Sequence, residues 1–199
     1  VRPADAANLA PVATMRFFSD IERWIAEADQ QVAADMRRAV RDGLTCWLAT
    51  SDLADQPRVT RREIAKRIEE ALDSGLKLNQ VAGRLTHQQE QTLRSNGLLL
   101  LEAWLHNSAE RYAALPADER TAFVDTQLDR MDQWQLVDFL QSAPEGDSAS
   151  HSPASSAALM ATIDRWVERA DADLQPHLSA LVRHVQQRLL WRSFRGLWE

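Results

Sequence analysis

The chain has 199 residues, 45% of them hydrophobic and 26% charged, and a formal net charge of −6. That length and apolar content suffice for a core without covalent staples, while the acidic balance argues against general affinity for nucleic acid or an anionic bilayer. Cys46 is the only cysteine, which excludes a disulfide within these residues. The densest apolar run, Leu98 to Leu105, falls far short of the roughly 18 residues that suggest a membrane-spanning helix.

The first thirteen residues, rich in Ala and Pro, read as a disordered lead-in. They begin at Val1 with no basic-then-apolar leader pattern. The expected setting is a soluble domain, either cytoplasmic or the trimmed soluble part of an exported or membrane-anchored protein. From about Thr14, Phe17, Ile21, Trp24, Ile25, Ala28, Val32, Met36 and Val40 recur in steps that mark one face of a long amphipathic helix. Asp42-Gly43 is placed to end or interrupt it, with Leu44 to Thr50 adding a further turn or two.

After the loop Ser51 to Pro57, Thr60 and Glu63 have capping-box spacing, and Val59 before them faces Ile64 as a hydrophobic staple. Ile64, Ile68 and Leu72 continue that helix to Gly75, a C-terminal cap, and a short helix through Val81 follows. Thr86 with Gln89 repeats the box and opens a third long helix carrying Leu93, Gly97, Leu100, Leu101, Trp104, Leu105 and Tyr112. Pro116 suits the first position of the next helix, whose inward positions are Phe123, Val124, Gln127, Leu128, Met131 and Trp134.

Residues 141–157 form a Ser/Pro/Ala tract with almost nothing to bury, the composition of a flexible linker. Beyond it, residues 158–199 read as a helical hairpin with Leu159, Ile163, Trp166, Val167 and Leu174 on one arm. Leu178, Leu181, Val182, Val185 and Leu189 lie on the other. Strand-like alternation is absent throughout. The expected fold is all-α: an antiparallel bundle of five or six helices in all, formed by residues 14–140 together with the 158–199 hairpin packed on the same bundle.

Four of the seven tryptophans share one context of apolar residue, acid, any residue, Trp. They are Ile21 to Trp24, Leu101 to Trp104, Met131 to Trp134 and Ile163 to Trp166; the first and last extend to the near-identical IERWIAEAD and IDRWVERAD. Residues three apart share a helix face, so the apolar residue and the Trp turn inward while the acid meets water. Each long helix thus brings a bulky aromatic to a shared, tryptophan-rich core. The tryptophan spacing is too uneven for a solenoid.

No constellation of catalytic type emerges. There is no G-x-S-x-G, the six glycines are scattered, and Cys46 has no histidine near it in sequence. No glutamate has a histidine three residues on, as a di-iron bundle needs. Glu102 with His106 and His87 with Glu90 read as surface pairs, and His177 and His184 as residues flanking the core stripe rather than metal ligands. Val59 to Leu85 loosely resembles a helix-turn-helix, but Ala65 and Val81 stand too far apart for the compact unit.

Charge is segregated. Pro116 to Asp147 holds eight acids against two arginines, whereas Arg183 to Glu199 holds four arginines against one acid. In that tail Arg188, Arg192 and Arg195 interleave with Trp191, Phe194 and Trp198. Such a mixture suits an acidic partner, a membrane interface, or the chain's own acidic belt. These six residues are the candidate partner-binding set; no catalytic, cofactor-binding or metal-ligating residue is assigned and no cofactor expected. The function that follows is a non-catalytic helical interaction or scaffold protein, binding a protein partner or itself. The alternatives are a peripheral membrane-surface module, then a helix-turn-helix DNA-binding protein or a metal protein or enzyme. Nucleic acid is not an expected partner, and no small-molecule substrate is indicated.

Overall fold

A computed structural model describes Asp20 and residues 30–73, 85–134 and 153–195; for 30–38, 153–158 and Arg195 the description covers the backbone alone. Among these residues the chain is helical and no strand occurs. The helices are α1 (Gln30–Thr50), α2 (Arg58–Asp73), α3 (His87–Ala114), α4 (Arg120–Trp134), α5 (Pro153–Arg169) and α6 (Gln175–Arg195). The lead-in, the first copy of the repeated nonapeptide apart from its neighbour Asp20, Gly75, the short helix through Val81, and residues 141–152 of the expected linker lie outside the described residues.

The longest helix, α3, organises the others. Leu93, Leu100, Leu101, Trp104, Leu105, Ala109 and Tyr112 are buried on it, and Leu98 and Leu99 pack against the same core. Apolar residues over so much of its circumference require cover on several sides. α1, α2 and α6 all contact α3; α4 and α5 pack on α6, and α2 also meets α4.

α1 continues through Asp42-Gly43 without a break. A glycine inside a helix costs about 1 kcal/mol relative to alanine, and burial of Val40, Leu44, Trp47 and Leu48 beside it outweighs that cost at about 1.5–3 kcal/mol for each large side chain. The end of α1 is held from α3. Asn96, 3% exposed, donates through Nδ2 to the Leu48 and Ser51 carbonyls at 2.7 and 2.8 Å and accepts from the Leu53 N–H at 3.4 Å. Its amide thereby serves backbone groups that a helix end leaves unpaired.

α2 starts earlier than its sequence suggests. The Arg61 N–H donates to the Pro57 carbonyl at 3.0 Å, so Thr60 lies inside the helix rather than at its cap. Val59 is 75% exposed and makes no staple, and Glu63 pairs with Arg67 at 3.2 Å. Pro57, pre-set to a helix-compatible φ, supplies the start instead. On α3 the box forms as expected: Thr86 Oγ1 accepts from the Gln89 N–H at 3.3 Å, and the Thr86 N–H donates to Gln89 Oε1 at 2.9 Å.

α4 starts later than expected. Pro116 opens a turn closed by the Glu119 N–H on its carbonyl at 3.2 Å, and the helix begins at Arg120. α5 begins at Pro153, inside the stretch read as linker, with proline at the first helical position where its missing N–H costs nothing. The α5–α6 turn is closed by the Leu174 and Gln175 N–H groups on the Asp171 carbonyl, both at 2.9 Å. Trp47, Trp104, Trp134 and Trp166 are buried, and the rings of Trp104 and Trp134 meet edge to face, 5.8 Å between centroids.

α2, α3 and α4 are joined by a charged cluster around Glu69, which is 7% exposed. Its carboxylate accepts three N–H contacts from Arg111 at 3.0–3.2 Å and one from Arg130 at 2.9 Å. Arg130 also reaches Asp73 at 3.1 Å, and the Trp134 indole N–H donates to that aspartate at 3.2 Å.

Candidate functional site

The basic tail and the acidic belt meet. Arg188 makes a two-pronged contact with Asp125, Nε to Oδ1 at 3.0 Å and a terminal nitrogen to Oδ2 at 2.7 Å. Arg192 reaches the carbonyl and carboxylate of Asp125 at 3.2 and 3.3 Å, and Asp129 at 2.8 Å. The hydrogen bond from Arg188 is the main cause holding the Asp125 carboxyl below the ordinary carboxylate range; the charge of Arg192 adds to it. The two guanidiniums therefore fasten α6 to α4. Arg188 also lies over the Trp191 ring, 4.5 Å from its centroid.

The aromatics behave differently. Leu178, Leu181, Val182 and Val185 follow one another along the side of α6 that faces the bundle, and Leu189 continues that line at 44% exposure. On the opposite side stand Leu190, Trp191 and Phe194, 61%, 48% and 62% exposed. Spacings of three and four place them on one outer strip. The Arg195 side chain and Trp198 lie outside the described residues.

The histidines are separated. His184 approaches the Tyr112 hydroxyl at 3.1 Å through Nδ1 and Thr121 Oγ1 at 3.5 Å through Nε2, whereas His177 is exposed. His106 is buried beside Arg58, Arg61 and Arg62, its Nε2 without a hydrogen-bond partner. Burial holds its imidazole below the usual histidine range; Glu102 and Asp171 oppose this, and Arg62 and Arg58 reinforce it. No group of three His, Cys, Asp or Glu side chains among the described residues is placed to hold a metal ion. None of the described helices is long and apolar enough to cross a membrane.

A second feature is a cleft. α3, α4, α5 and α6 border a largely apolar hollow of about 350 Å³, partly open to solvent, lined by residues including Trp104, Gln127, Leu128, Ile163, Leu181 and Val185 and by the exposed Asp132 and Leu189. Sequence periodicity places Gln127 on the inward stripe of α4, and a polar residue at an apolar register is the available signal. The hollow itself depends on how four helices meet and leaves no trace in local pattern.

No family model, curated protein or solved structure matches the chain. The functional reading therefore rests on geometry.

Proposed function

We propose that the protein is a non-catalytic helical interaction module that associates through the outer strip of α6, and that the strip's partner is a second copy of the same chain. The observation that carries this reading is the two-sided apolarity of the end of α6. Leu181, Val182 and Val185 pack into the bundle, while Leu190, Trp191 and Phe194 face outward. A helix apolar on both sides requires cover on both.

Because Arg188 and Arg192 are matched by Asp125 and Asp129, the strip carries little unbalanced charge to select a strongly anionic surface. This weighs against the membrane-surface alternative and favours an apolar, self-complementary contact of the kind a twofold dimer uses. The finer architecture belongs to the same proposal: an antiparallel bundle with tryptophans at its centre, supported by the burial of Trp47, Trp104, Trp134 and Trp166.

Sedimentation of the full chain beside a Leu190→Glu/Phe194→Glu variant tests the proposal. Both substitutions fall on exposed positions, so the variant keeps its helical signal. The full chain is expected to sediment as a dimer at micromolar concentration and the variant as a monomer. A full chain that stays monomeric at high concentration overturns self-association, and flotation with anionic vesicles under the same conditions would move the strip to a membrane role.

A further inference from the structure

The outer strip of α6 is too small to hold two chains together by itself. At about 200 Å² for a side chain of this size, the exposed parts of Leu190, Trp191 and Phe194 amount to roughly 350 Å². A stable interface takes roughly 800 Å² from each partner. If the strip joins two copies, further apolar surface beside it is buried in the same contact.

The cleft bordered by α3, α4, α5 and α6 adjoins the strip. Gln186 lines the cleft, and Leu190 and Phe194 follow it at intervals of four along α6. Residues so spaced form one ridge on a helix, so the strip begins at the rim of the cleft. Beyond the rim the lining is apolar and only partly covered. Met131, Leu159, Met160, Ile163 and Val185 are half-buried, and Leu189 is exposed.

The recess suits an aromatic ring. An apolar cavity of about 150 Å³ accepts benzene, and this one measures about 350 Å³. Met131 of α4 and Met160 of α5 both line it; a thioether side chain adapts its shape to a ring and contacts it favourably. Phe194 does not fill the recess of its own chain, because it stands on the outer side of the same helix, 62% exposed. Each chain therefore carries a projecting aromatic ridge and, next to it, a recess that fits one. A twofold axis covers both at once, since residue i of one copy meets residue j of the other and the reverse.

We propose that in the dimer the ridge of Leu190 and Phe194 on each copy seats in the cleft of the other, with the Phe194 ring between the methionines of α4 and α5. This rests on self-association through the strip and adds which surface receives it.

Sedimentation of the full chain, of Met160→Arg and of Phe194→Glu, alone and mixed, tests the arrangement. Met160 lies on α5 and is half-buried, so Met160→Arg alters the recess and leaves the strip intact. Each variant alone is expected to raise the dimer dissociation constant at least about tenfold, the loss that follows when an interface anchor is displaced. Their equimolar mixture should recover dimers, because the intact ridge of one chain meets the intact recess of the other. A dimeric parent with an equally dimeric Met160→Arg overturns the cleft assignment while leaving strip-to-strip association standing, whereas a monomeric parent overturns both. Should Met160→Arg lose its helical signal, the same question passes to chains carrying Cys46→Ser and one new cysteine. Under mild oxidation a mixture of Met160→Cys and Phe194→Cys chains should give a disulfide-linked pair containing one of each. Linkage of Phe194→Cys chains only to one another would overturn the assignment.

Discussion

Glu69 decides how α2, α3 and α4 are held, and its replacement by Gln gives the sharpest test of the fold's energetics. The carboxylate is 7% exposed, but its partners Arg111 and Arg130 are 41% and 30% exposed. Breaking a fully buried ion pair costs about 3–5 kcal/mol, whereas an exposed pair contributes about 0–1 kcal/mol. A buried acid between two half-solvated guanidiniums falls between these limits, at about 2–3 kcal/mol. In a chain of this length that corresponds to a fall in Tm of about 4–12 °C. Urea unfolding should show a lower midpoint with an unchanged slope, since the surface exposed on unfolding is the same. A double-mutant cycle with Arg130→Gln should give a coupling of about 1 kcal/mol or more. A loss below about 0.5 kcal/mol would show that water screens the cluster as it screens a surface bridge, refuting the reasoning.

The remaining predictions address three other contacts. Asn96→Leu strands the Leu48 and Ser51 carbonyls now served by Nδ2 and should cost about 2–3 kcal/mol in urea unfolding; a cost near zero would mean those carbonyls find water. His106 has a folded pKa held down mainly by burial, so the unfolded chain takes up the proton more readily and stability falls as pH drops below about 6.5. The urea midpoint should therefore drop more between about pH 7.5 and pH 5.5 in the parent than in His106→Leu, and parallel profiles would contradict this. Asp125 has a folded pKa held down by Arg188. Its contribution is present at neutral pH and is lost as pH falls through the folded value, below the ordinary aspartate range. Asp125→Asn, in a pair whose side chains are 29% and 22% exposed, should cost about 1 kcal/mol at neutral pH and flatten the acid limb of the stability profile.

The helices are legible wherever an apolar stripe is long and its cap is written locally. α3 is the clearest case, because Thr86 and Gln89 form the box that their spacing announces. Boundaries next to proline are not. Pro57 starts α2 ahead of Thr60, and Pro116 makes a turn rather than a first helical residue. In both places the geometry of the preceding loop settles which of two chemically adequate starts is used. At the tail, charge segregation indicates that arginines and acids could meet, as they do, but sequence cannot divide the aromatics between core and surface. That division depends on which side of α6 the other helices occupy. Asn96 and Gln127 show the same limit from another direction: each is a buried polar residue on an inward face. One proves to be a structural tie with three partners, the other to keep a buried oxygen without any.

The pairing between belt and tail changes what the net charge means for binding. A basic, aromatic segment in isolation suggests attraction to anions, and an acidic belt suggests attraction to cations. Here Arg188 and Arg192 direct their donors at Asp125 and Asp129, so the two regions largely cancel where they touch. The apolar features remain: an outer strip beginning at Leu190 and an apolar cleft bordered by Leu189, one residue earlier. Adjacent residues on a helix point about 100° apart, which is how one turn of α6 contributes to both. Association through the strip would consequently be driven by apolar burial, whose strength follows area rather than ionic strength, with the ion pairs setting the orientation of α6 that presents it.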